Sequence, residues 1–246
     1  MRTALLLAAP VCIAQAAEPA GHAPTYDDAL QLSPLAERLA ACGEDEAGIR
    51  TRLELIAAEF AQHPATYHLG TLPVPDVSLI PISISAGDGR HLGGAQWAAN
   101  NQIVRLRMTL FTSPLPEATD AESRLQREML LNDTLAHELA HCCFYFRYPK
   151  LAKITEGEPL MICEGLAIST AHEFIQRHYF GGASMPKGFY EKIMLSPRYT
   201  RIYQAFCERY RANNSIPWNM IDAAELQVAP SGYELRNRRQ IDGHSR

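Results

Sequence analysis

The chain has 246 residues, 47% of them hydrophobic, with a formal net charge of −4 and an isoelectric point near 6.1. This is ample apolar material for one well-buried core and marginal for two, so a single domain is expected. The acidic balance and the lack of any basic block longer than a few residues exclude nucleic acid as an expected partner.

The opening stretch, MRTALLLAAPVCIAQAAEPAGHAP, carries one Arg, then an apolar run, then small residues. Ala14-Gln15-Ala16 fits an A-x-A cleavage site. Residues 1–16 therefore read as a secretory signal peptide, and 17–246 as an exported chain, periplasmic or secreted. The apolar run is too short to span a bilayer and no later segment approaches the needed length, so no stable membrane anchor is expected. Beyond the cleavage site stand Cys42, Cys142, Cys143, Cys163 and Cys207. In an oxidising compartment these can pair, and an odd number leaves at least one thiol outside an internal bridge. Cys142 or Cys143 with Cys163 is one pairing that their positions suggest.

A helical lead-in is expected over 30–64. Ser33 is placed to cap a helix that begins at Pro34 and closes at Gly43. EDEAGIRTRLELIAAEFAQHP follows, with acids at its start and Ile49, Leu53, Ile56 and Phe60 at helical spacing. The period then shortens, and a sheet is expected over 70–112. VSLIPISIS reads as a strand with Pro81 inside it, hence an edge or bulged strand. HLGGAQWAANNQIVRLRMTLF reads as two strands around a turn at Ala99-Asn100-Asn101. Thr119 and Glu122 form a capping-box pattern for a helix running to Arg147, before Pro149. A second helix is expected from Pro159 to Tyr179, ended by Gly181-Gly182. Helices over 187–228 complete the chain, and ELRNRRQIDGHSR reads as a solvated tail. The order of helices, small sheet and helices points to an α+β fold.

One motif carries chemistry. HELAH at 137–141 falls inside the first long helix, where positions i and i+4 share a face. His137 and His141 can then aim imidazole nitrogens at one zinc ion, with Glu138 beside them to hold a zinc-bound water and take its proton. Leu130, Leu131, Leu135, Leu139, Phe144 and Phe146 offer faces to bury the motif. Catalytic zinc takes three protein ligands and leaves one position open. The candidates for the third are Glu156, Glu158, Glu164, His172, Glu173 and His178. Glu164 is favoured: a carboxylate among apolar Leu166, Ala167 and Ile168 is costly unless paired or metal-bound, and the loop after Pro149 can fold its helix back onto the first. Gly165 would let the two helices approach closely. His172 is the runner-up.

HELAH followed by CEGLA resembles the gluzincin group of zinc peptidases. The resemblance spans roughly residues 92–180 and rests on these two short motifs. It implies a zincin-like fold, in which a small mixed sheet packs on the motif helix and a mainly helical half follows. It implies one zinc ion per chain on His137, His141 and Glu164, with Glu138 as general base and peptides or proteins as substrate. It also implies that the strand at QIVRLRM or GGAQW lies along the cleft. Tyr199 is the choice for a donor to the oxyanion, with Tyr203 and His178 behind it. Cys163 stands where the group usually has Asn, and neither an exopeptidase G-A-M-E-N nor a third metal-binding histidine follows the pattern. HELAH also occurs in SprT-like proteases, but the export signal and acidic balance point away from a DNA-associated role. Two other classes are a zinc-binding scaffold without catalysis and a metal-free helical interaction domain.

Overall fold

The computed structural model describes residues 30–86, 93–100, 103–112, 115–153, 156–183, 197–211 and 216–227. The signal peptide, Asn101 of the expected turn, residues 187–196 and the basic tail lie outside them. The described elements are helices α1 (Pro34–Ala40) and α2 (Glu46–Gln62), strands β1 (Ile82–Ser85), β2 (Gly93–Asn100) and β3 (Ile103–Phe111), and helices α3 (Ala121–Arg147), α4 (Gly157–Tyr179), α5 (Pro197–Phe206) and α6 (Trp218–Gln227). The architecture is α+β, mostly helical, with one three-stranded mixed sheet. No described helix is long and apolar enough to cross a membrane.

The lead-in forms as its sequence requires. Ser33 caps α1 by accepting the Ala36 N–H, and Pro34 sits where its missing donor costs nothing. Asp45 caps α2 by accepting the Gly48 N–H. Ile49, Leu53, Ile56 and Phe60 are fully buried along one stripe of α2. Arg52 shares that burial. Its guanidinium bonds Glu128 and Asn132 of α3 and the carbonyls of Cys42 and Gly43, which ties α2 to the motif helix.

The sheet differs from expectation at two places. Val77–Leu79 is a 3₁₀ turn capped by Asp76, and the strand starts only after Pro81. Proline has no N–H to give a ladder, so the strand begins beyond it. Ala99 and Asn100 belong to β2 rather than to a turn, since Asn100 pairs with Ile103. The strand order is β1-β3-β2, with β1 parallel and β2 antiparallel to the central β3.

Helix α3 starts one residue later than the capping-box pattern proposed. Asp120 accepts the Ser123 N–H, and the Ser123 hydroxyl is in turn reached by the Asp120 N–H. An ionised cap is the stronger acceptor, which is why Asp120 displaces Thr119. The helix packs its apolar residues inward as expected, except that Phe146 is half exposed near the end. Helix α4 starts at Gly157, two residues before Pro159, and ends at Tyr179, with Gly181 and Gly182 just beyond it, both at positive φ. It folds back antiparallel to α3: Asn132 meets the Tyr179 hydroxyl at one end, and His141 meets Cys163 toward the other. Glu225 of α6 pins the connecting loop by accepting the Lys150 and Leu151 N–H groups.

Candidate metal centre

The α3–α4 hairpin brings three sequence-separated side chains to one point. His141 Nε2 lies 3.0 Å from His137 Nε2 and 3.4 Å from Glu164 Oε2, and His137 Nε2 lies 3.8 Å from the same carboxylate oxygen. The three groups can hold a metal ion. Tetrahedral zinc with ligand bonds of about 2.0–2.1 Å would set its ligand atoms about 3.3 Å apart, so the observed spacing fits such an ion. The donor set fits as well, two imidazoles and one carboxylate.

The electrostatics follow from burial. His137 is held below the ordinary histidine value by burial and by the neighbouring His141, against the pull of Glu164. Burial also pushes His141 down, but the neighbouring Cys163 and Glu164 outweigh it and hold the imidazole above its usual value. A metal ion at this point would take the place of that proton.

Glu138 lies on the same turn, buried, facing β2. Burial pushes its carboxyl up to about 7, with Glu164 adding to the rise and His141 and the Ala95 N–H opposing it. Its Oε2 is buried and meets no hydrogen-bond donor among the described residues. Gly93 makes this approach possible. A Cβ there would lie 2.8 Å from Glu138 Oε1 and 2.9 Å from Thr134 Cγ2, whereas one on Gly94 would meet nothing within 4 Å. The strand beside the motif helix is therefore GGAQW. IVRLRM, in β3, belongs to the central strand.

The other candidates separate. Glu156 sits at the start of α4 with no capping bond. Glu158 is engaged by Tyr210 and Arg209. His172 and Glu173 lie more than two turns beyond Glu164 along α4, outside the cluster. His178 is in a separate network: its Nδ1 meets Ser33 Oγ at 2.8 Å and its Nε2 meets the Tyr67 hydroxyl at 2.9 Å. It is therefore not placed to serve an oxyanion at the cluster. Tyr199 falls in α5, and its side chain lies outside the described residues. Tyr203 is partly buried against the core.

Gly165 admits α5: the first atoms that a Cβ there would meet are those of the Phe206 ring. None of the five described cysteines is in a disulfide. Cys163 Sγ instead lies 3.1 Å from His141 Nδ1, and the Tyr145 ring stacks on the same imidazole. The positions of Tyr145, Ala95 and Gly93 in the site were not singled out from sequence. Tyr145 does stand one turn after His141, the spacing that would have flagged it.

Comparison of the chain with family models, curated proteins and solved structures finds no match.

Proposed function

We propose that the chain is a zinc-dependent peptidase, with His137, His141 and Glu164 holding one zinc ion and Glu138 as general base. The observation that carries this reading is the convergence of three ligand atoms beside a buried carboxylate that is not itself a ligand. A purely structural site has no use for that fourth group. Bound there, zinc would polarise a carbonyl and acidify water.

The chain's own residues supply the rest. Glu138, poised near neutrality, takes a proton from water and returns it to the leaving amine. The Ala95 N–H fixes its carboxylate. Among the described strands β2 pairs only with β3, so its outer edge can take an extended peptide as a further strand. Tyr199 is the proposed oxyanion donor, and Tyr199→Phe should lower kcat while leaving zinc content unchanged. Residues 1–16 would direct the enzyme to the periplasm or beyond.

The test is zinc stoichiometry on wild type, Glu164→Ala and His172→Ala, followed by peptide cleavage. One zinc per chain, lost only in Glu164→Ala, is expected. Glu138→Gln should keep the zinc and lose cleavage by about 10²–10⁴-fold. A zinc-loaded wild type that cleaves no peptide in a broad library would leave a zinc-binding scaffold, and a wild type that takes up no zinc would remove the reading altogether.

A further inference from the structure

We propose that the Cys163 thiol is the positioning residue for His141: it accepts the Nδ1 proton of the imidazole and so presents Nε2 to the metal. This rests on the zinc reading above and adds to it the group that orients a ligand.

A metal-binding histidine needs its other ring nitrogen anchored, because that bond fixes both tautomer and ring angle. The usual anchors are a carboxylate, a backbone carbonyl or water. Here the atom facing His141 Nδ1 is Cys163 Sγ, at 3.1 Å. The thiol is almost fully buried, so bulk water does not compete for the nitrogen. Cys163 immediately precedes Glu164, so one turn of α4 delivers a ligand and the anchor of another.

The direction of the bond follows from what Nε2 must do. The Tyr145 ring stacks on the His141 ring, with centroids 5.6 Å apart and planes within 9°. Stacking restrains the tilt of the imidazole, while the sulfur restrains its rotation. If Cys163 donated to Nδ1 instead, the neutral ring would carry its proton on Nε2, the atom that faces His137 and Glu164. That tautomer cannot ligate. Acceptance by sulfur and ligation by Nε2 are thus one arrangement. Cys142 and Cys143, equally buried, are next to His141 in sequence but do not contact its Nδ1 in this way.

The experiment measures zinc affinity by chelator competition on the full chain, for wild type, Cys163→Ala and Cys163→Asn, with thermal melts of each metal-free protein. Asn is chosen because its carbonyl oxygen can accept the same proton. Cys163→Ala should bind zinc about 10–100-fold more weakly, and Cys163→Asn should recover most of that loss. Wild-type affinity in Cys163→Ala would overturn the proposal. So would equal weakening in both variants that tracks a lower melting temperature, since the thiol would then be only a packing group. A second measurement needs no variant: the imidazole ¹⁵N resonances of His141 in the zinc-loaded protein. A protonated Nδ1 and metal-shifted Nε2 are expected, and the reverse overturns the proposal. A folded wild type that takes up no zinc would instead defeat the metal reading, and with it this inference.

Discussion

Helices α3 and α4 carry buried polar side chains at two places along their shared length, and the two groups are built in opposite ways. Near the α2 side, Arg52, Glu128, Asn132 and Tyr179 form one network, and Ser33, His178, Tyr67 and Glu59 form another. In each, donors meet acceptors in a closed chain. Further along the hairpin, ligand-type atoms of His137, His141 and Glu164 lie within 4.8 Å of one another, and the buried Glu138 Oε2 meets no donor among the described residues. Both places are shielded from water, and each has histidine and glutamate on the same two helices. What separates the two is whether the hydrogen bonds close on themselves.

The largest effects should come from breaking each group in turn. Arg52→Ala leaves the partly buried Glu128 without its cation and should destabilise the fold by about 2–4 kcal/mol, while the folded fraction still binds one zinc. Glu164→Ala should do the reverse, abolishing zinc binding with little change in the denaturant midpoint of the metal-free chain. If both variants moved both readouts together, the two groups would not be separable. A sharper and smaller contrast lies in β2. Gly93→Ala must push against Glu138 and Thr134 and should lower cleavage by tenfold or more, on the order of 1.4 kcal/mol in the barrier. Gly94→Ala, which meets open space, should stay close to wild type. Equal activity in the two would mean that Glu138 does not need its present position.

The smallest effect expected is a pH dependence in the closed network. Burial holds His178 below the ordinary histidine value, so it is neutral when folded. The unfolded chain takes up a proton there below about pH 6.5, and the folded chain resists doing so. The stability contributed by this site is therefore complete above that pH and is lost as pH falls toward the folded value. Melts of wild type and His178→Gln across this window should show a shallower acid slope in the variant. A slope unchanged by the substitution would place the acid sensitivity elsewhere.

The His137, His141 and Glu164 cluster was legible because helical spacing is rigid: i and i+4 share a face wherever the helix sits, so HELAH places its two histidines side by side. Glu164 was legible for a thermodynamic reason, as a carboxylate in an apolar stretch that needed an explanation. The stripe of α2 could be read from its period alone. Features that depend on contacts between distant segments could not. Nothing in the residues around Gly165 says that Phe206 will fill the space beside it. Nothing in the cysteine spacing says that Cys163 will face an imidazole instead of another sulfur. The shift of the α3 cap from Thr119 to Asp120 is a near miss between adjacent acceptors, decided by charge.

Phe206 on Gly165 has a consequence for the order in which this protein can be made. The two histidines and Glu164 leave the ribosome well before the helix that braces them. Synthesis proceeds at roughly 5–20 residues per second, so these three side chains wait several seconds for their support. A metal ion arriving early would meet a hairpin that is still loose on its outer side. Tight capture should then belong to the finished chain, and Phe206→Ala should mimic the unfinished one, with weaker zinc retention during dialysis and a loss of about 3–5 kcal/mol in stability.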